Sequence, residues 1–109
     1  MIYTSGQIPY TADGQRVTGS IRDQTAACLR NLSAILAAAG TSLDRAVKVT
    51  VFLTSMADFA EMNEEYGRWF GGGGEEVKRV SPARSCVAVK ELPLGVPVEI
   101  ECVALGPGA

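Results

Sequence analysis

Apolar residues recur along this chain with two different periods, and the switching between them lays out the fold. From Ile21 onward, Thr25, Cys28, Leu29, Leu32, Ile35, Leu36 and Ala39 follow a 3.6-residue repeat, which predicts an amphipathic helix. Ser20 stands ahead of it as N-cap with Asp23 three residues on, a short acidic form of the capping box, and Gly40 supplies the stop. Residues 47–53 change to a period of two. Val47, Val49, Val51 and Leu53 take one face and Lys48, Thr50 and Phe52 the other, so this is a strand with one strongly apolar face and one partly apolar face. A second helix starts after Thr54 or Ser55, with Phe59, Met62, Tyr66, Trp69 and Phe70 along one stripe. Gly71 to Gly74 ends it, and residues 75–79 form a charged loop. A phosphate cradle would need a Gly-Lys-Ser/Thr ending, which is absent, so the glycine run reads as a flexible connector.

The flanks carry the remaining strands. Residues 2–8 read as a short strand broken near Gly6 and Pro9, and Asp13-Gly14 is a hairpin turn signal with Arg16-Val17 returning as a weak strand. In the last third, residues 85–90 and 98–104 are strands joined by the turn between Pro93 and Pro97. The order β, β, α, β, α, β, β predicts an α+β domain with both helices on one face of a mostly antiparallel or mixed sheet. Three stretches (51–53, 87–89 and 102–104) are apolar on both faces. The uncovered face then needs a partner, and a homo-oligomer is expected.

Composition narrows the function classes. One domain fits 109 residues, and 47% hydrophobic with 20% charged residues is a globular profile. A net charge of −2 supplies no global basic field, so neither nucleic acid nor a membrane surface is an expected partner. No apolar run is long enough for a membrane span, and Met1-Ile2-Tyr3-Thr4 does not read as a signal peptide. Cys28, Cys86 and Cys102 are an odd number without CxxC spacing, which speaks against a disulfide framework and a structural zinc site. The expected compartment is reducing, the cytoplasm or an organelle interior such as the mitochondrial matrix. The sequon Asn31-Leu32-Ser33 falls inside the first predicted helix and is expected to stay unglycosylated.

There is no histidine, so the usual general base and the commonest metal ligand are both missing. Two charges stand out instead: Arg84 in Pro82-Ala83-Arg84-Ser85-Cys86-Val87, and Glu99 between Val98 and Ile100. Each sits among apolar β-formers, where a charge is expensive to bury unless paired or used. Alternation puts Arg84, Cys86 and Ala88 on one face of their strand, and Glu99, Glu101 and Val103 on one face of theirs. If the two strands are neighbours, Arg84 and Glu99 open onto one cavity, with Arg84 as a planar fork for a carboxylate or phosphate and Glu99 as general acid/base. A structural ion pair, for instance across a subunit contact, accounts for the same two residues. Cys86 reads as a small buried hydrophobe rather than a thiolate, since no histidine is there to activate it. Asn63, on or beside the apolar stripe of the second helix, either caps loop backbone or faces a ligand. Ser5-Gly6 either presents a hydroxyl and an unhindered N–H or makes a bend before Pro9. Tyr66, Trp69 and Phe70 read as core rather than as a stacking platform.

Taken in order, these stretches resemble the RidA family, also called YjgF/YER057c/UK114. The resemblance runs through Tyr3-Thr4-Ser5-Gly6-Gln7-Ile8-Pro9, Asn31-Leu32 to Ala39-Gly40, and Val49-Thr50-Val51-Phe52-Leu53. It continues in Asp58-Phe59-Ala60 to Asn63, Pro82-Ala83-Arg84-Ser85-Cys86-Val87 and Val98-Glu99-Ile100-Glu101, so it covers nearly the whole chain. It implies a single domain over 1–109 with a chorismate-mutase-like α+β fold, assembled as a homotrimer with ligand clefts between subunits. The implied activity is metabolite damage control: hydrolysis of the enamine/imine intermediates iminobutanoate and iminopropanoate to 2-oxo acids and ammonia, without cofactor or metal. Arg84 would clamp the substrate carboxylate, Glu99 would position the attacking water and help protonate the leaving nitrogen, and Cys86 would line the pocket. Ser5, Gly6 and Asn63 would complete the wall. The family's usual N-terminal strand, with its Gly-Pro-Tyr element, does not occur in this sequence, and the connector at 71–79 looks longer than usual. A non-catalytic module binding small carboxylated metabolites at subunit interfaces is the alternative expectation. RNA cleavage, also associated with the family, is opposed by the acidic balance and the lack of a basic aromatic surface.

Overall fold

The fold is described by a computed structural model covering residues 1–70 and 81–108. The connector expected at 71–79 lies outside the described residues. Helix α1 (Ile21–Ala38) forms where the apolar repeat places it. Ser20 caps it, its side chain accepting from the Asp23 N–H at 3.1 Å, and Gly40, at φ +83°, lets the chain turn away after it. Strand β2 (Ala46–Leu53) follows, then a short 3-10 turn in which the Ser55 side chain caps the Ala57 N–H at 3.1 Å. Helix α2 (Phe59–Phe70) continues from that turn, and strands β3 (Ala83–Ala88) and β4 (Val98–Ala104) complete the chain.

Both helices pack on one face of a mixed four-stranded sheet, as the sequence predicts. Val49, Val51, Leu53, Val98 and Ile100 point into the core and meet Cys28, Leu29, Leu32 and Leu36 of α1 and Met62 of α2. All ten of these side chains are fully buried. The other sheet face carries Lys48, Thr50, Phe52, Glu99, Glu101 and Val103, with Tyr3, Ser85 and Val87 exposed on it. Neither helix reaches that face.

Three expectations need correction. The strand expected over 2–8 is only Ile2–Tyr3 (β1), with one further bridge, Gln7 to Ile100. Between them Thr4 doubles as ladder and side-chain link: its N–H reaches the Cys102 carbonyl at 3.0 Å, and its hydroxyl accepts from the Cys102 N–H at 3.0 Å. Ser5-Gly6 therefore bulges away from β4 before pairing resumes. The weak return strand at Arg16-Val17 is a single bridge from Tyr10 to Arg16, because the segment is mostly exposed and has no sheet beside it. The third correction concerns order. The sheet runs β1-β4-β2-β3, with β2 antiparallel to β4 and parallel to β3. β3 and β4 are not neighbours, since β2 lies between them.

Candidate active site

Arg84 belongs to a cluster built by α2. It pairs in register with Val49, whose side chain is in the core, so Arg84 emerges on the helix side of the sheet. β3 is the last strand on that side, and the guanidinium meets α2 there rather than the core interior. Its Nη1 donates to Asn63 Oδ1 at 2.6 Å, and its Cζ lies 4.6 Å from the Tyr66 ring centroid and 5.7 Å from that of Phe59. Positions 59, 63 and 66 lie along one stripe of a helix, so a single element supplies the acceptor and both rings. Among the described residues no carboxylate lies within ion-pair distance of Arg84. Asn63 takes one guanidinium N–H, and among the described residues the guanidinium makes no other hydrogen bond.

Cys86 follows two residues on, on the same face and half-buried. Burial pushes its thiol up, and the nearby Arg84 charge works the other way without cancelling the rise. A protonated, weakly nucleophilic thiol is the result, in line with the sequence reading of Cys86 as packing.

Glu99 belongs to a second cluster. It lies in β4, paired with Phe52 of β2, and projects from the face that the helices leave open. The Ser5-Gly6 bulge lies against it. A Cβ added at Gly6 would overlap the Glu99 carboxylate oxygen and sit 2.9 Å from its Cδ, so the glycine is what lets the backbone approach the carboxylate this closely. Gln7 clamps the far side of the bulge through paired backbone bonds with Ile100 at 2.8 and 3.0 Å.

The two clusters stand apart within one chain. Their partners on β2, Val49 and Phe52, are three residues apart (52 − 49), roughly 10 Å along a strand. Arg84 and Glu99 also project from opposite faces of the sheet. The expectation that they open onto one cavity fails for the single chain, because it assumed adjacent strands. Ser5, Gly6 and Glu99 form one group, and Asn63, Arg84 and Cys86 the other.

A match to the family described as endoribonuclease L-PSP, which includes the YjgF and Rid proteins, covers residues 1–106. The chain belongs to this family. Its similarity to Rid-family proteins extends to mitochondrial mmf1 of Schizosaccharomyces pombe, 49% identical over 108 residues, which is 96% of this chain and 62% of mmf1. Thus the chain spans less than two thirds of that relative's length. It is also 41% identical over 105 residues to Escherichia coli TdcF, provisionally named a reactive intermediate deaminase, covering 96% of this chain and 78% of TdcF. A crystal structure of TdcF with bound serine superposes with a TM-score of 0.85 at 40% identity, over 94% of this chain and 78% of that one.

Within this family fold, two residues of the Arg84 cluster escape a reading by sequence. Phe59 and Tyr66 lie on an apolar stripe that predicts core, and Tyr66 is indeed core, 8% exposed and stacked on Phe70 at 4.6 Å. Its ring carries the guanidinium as well. The usable signal is the 59, 63, 66 spacing, which sets an asparagine between two rings on one helical stripe. The sequon asparagine has a structural task instead: the Asn31 side chain donates to the Ile8 and Tyr10 carbonyls at 3.3 and 2.8 Å, fastening the N-terminal segment to α1. Among the described residues no group of three His, Cys, Asp or Glu side chains is placed to hold a metal ion, and no helix is long and apolar enough to cross a membrane.

Proposed function

We propose that this protein hydrolyses small enamine/imine acids, 2-iminobutanoate and 2-iminopropanoate, to 2-oxo acids and ammonia in clefts formed between copies of the chain. The observation that carries this reading is Arg84, held by Asn63 and two aromatic rings yet without a carboxylate partner among the described residues. A guanidinium so held is a ready fork for the carboxylate of a small acid. The reactive-intermediate name of TdcF and the serine in its crystal structure support the same ligand class.

Because the two clusters lie on opposite sheet faces, a second copy must bring its Glu99 group to the Arg84 group of the first. The open sheet face, with Phe52, Val87 and Tyr3 on it, is the surface available for that contact, and a homotrimer is the assembly the family resemblance implies. In such a cleft Arg84 binds the substrate carboxylate and Asn63 keeps the guanidinium in place. Glu99 of the neighbouring copy accepts a proton from water as the water oxygen bonds to the imine carbon, giving a carbinolamine. The imine nitrogen enters protonated, so that the adduct is neutral. The carboxyl group returns its proton to this nitrogen, and the freed carboxylate takes the hydroxyl proton as the carbonyl forms and the C–N bond breaks. Ammonia leaves with that returned proton as ammonium. Atoms balance with one water consumed per ammonia released. No nucleophilic side chain is needed, which agrees with the raised Cys86 thiol.

The test couples the purified protein to a pyridoxal-phosphate threonine dehydratase and threonine. Faster release of 2-oxobutanoate is expected, with a loss of at least about 100-fold in the added rate for Arg84→Ala, the lower bound for two charge-assisted hydrogen bonds. No acceleration by the wild-type protein, or an unchanged rate with Arg84→Ala, overturns the reading. Tight binding of 2-oxobutanoate without acceleration would select the non-catalytic module instead.

A further inference from the structure

Tyr66 poses a question that its role in the core does not answer. The residue is 8% exposed and its ring stacks on Phe70 at an interplanar angle of 28°. Its hydroxyl is buried and has no hydrogen-bond partner among the described residues, so what Tyr66 does beyond packing falls to its ring. Burial holds the phenol up to about 12, so it is neutral at ordinary pH and offers Arg84 no counter-charge. What it offers is the ring, 4.6 Å from the Arg84 Cζ and closer than Phe59 at 5.7 Å. Both distances lie inside the range of about 6 Å over which a ring attracts a cation above its face.

We propose that Tyr66 is a positioning residue for Arg84: its ring face fixes the plane of the guanidinium, Asn63 Oδ1 fixes its rotation in that plane, and the remaining N–H groups are thereby set as a flat fork for a carboxylate. An unsupported arginine would have to freeze several torsions on binding. Here α2, anchored in the core through Met62 and Phe70, holds the group before the ligand arrives. The proposal rests on the reading that Arg84 binds a small carboxylate, and it is separable from the claim that the bound acid is turned over.

The experiment has two arms on the full chain. In the ligand-free protein, proton NMR of Arg84 should show its δ and ε protons shifted upfield by the Tyr66 ring current. The shift persists in Tyr66→Phe and is lost in Tyr66→Leu. Titration with 2-oxobutanoate and with its uncharged amide should then show Tyr66→Leu weakening the acid by about tenfold. Tyr66→Leu leaves the amide unchanged, and Tyr66→Phe leaves both unchanged. Tyr66→Met fills the volume without a π face and takes the place of Tyr66→Leu should thermal melts show that variant unfolded. Absence of the ring shift in wild type, or equal weakening by Tyr66→Phe and Tyr66→Leu, overturns the role of the ring. A wild-type protein that shows the shift and binds 2-oxobutanoate but accelerates no imine hydrolysis refutes the deaminase reading and leaves the Tyr66 role standing.

Discussion

Gly6→Ala separates the site from the scaffold. The added Cβ would sit 2.9 Å from Glu99 Cδ, whereas carbon atoms in contact rest at about 3.5 Å or more, so the carboxyl carbon must retreat by roughly 0.6 Å and its oxygen by more. The atoms that must yield are the far end of a flexible side chain, and no left-handed backbone at Gly6 resists a side chain there. Alanine also narrows the unfolded ensemble, so stability should stay within about 1 kcal/mol of wild type in urea melts. The proposed chemistry is less tolerant. A displacement of this order at a proton-transferring group is expected to lower kcat/KM for imine hydrolysis on the order of 100-fold. The dehydratase-coupled assay, run beside the melt on one preparation, reads both numbers. Full activity in Gly6→Ala refutes the assignment of Glu99 to the reaction, and a collapse of stability refutes the claim that only the carboxylate is crowded.

Other consequences follow from contacts around the site. Thr4→Val strips the hydroxyl that accepts from the Cys102 N–H and should destabilise the fold by about 1–3 kcal/mol in urea denaturation, with Thr4→Ser restoring most of it. Since burial raises the Cys86 thiol, its alkylation by iodoacetamide at pH 7.5 should be slower than that of a small free thiol, and Cys86→Ala should leave imine hydrolysis near wild type. Fast alkylation at that pH would count against the description of Cys86. Tyr66, held up to about 12 by burial, ionises first in the unfolded chain. Its contribution is complete below about pH 10, the ordinary tyrosine value, and is lost as pH rises toward 12. Absorbance at 295 nm should show a late phenolate component that is missing in Tyr66→Phe.

Much of the scaffold was legible because it depends on short-range pattern. The Ser20 cap, the α1 repeat and the bounds of β4 at Val98–Ala104 are all local signals, and the structure has them where the sequence puts them. Period-two alternation also gave the right facial grouping in β3 and β4, Arg84 with Cys86 and Glu99 with Glu101. In β2, however, a register shift between Ala46 and Lys48 leaves Val47 exposed, off the core face of Val49, Val51 and Leu53. Alternation carries no information on how one strand's face relates to another's. That depends on the insertion of β2 between β3 and β4, a long-range pairing choice, and so the supposition of a shared cavity failed. The first strand was overextended for a related reason. Thr4, Ser5 and Gly6 look strand-compatible, and only the approach of Glu99 and the Thr4 bonds to Cys102 explain why the backbone leaves the ladder there. Tyr66 was hidden because a stripe residue satisfies the core reading fully, and hydrophobicity alone does not reveal a second use of the same ring.

The separation of Arg84 and Glu99 onto opposite faces has a consequence for how damage spreads. In the proposed assembly no copy owns a cleft, so a lesion in one chain is felt where that chain meets a neighbour. Pure Arg84→Ala and pure Glu99→Ala proteins would each be inactive. When they assemble from an equal mixture, about a quarter of the clefts should combine an intact Arg84 with an intact neighbouring Glu99. Two dead preparations would thus yield a partly living one after subunit exchange, and a chain carrying both lesions would rescue neither.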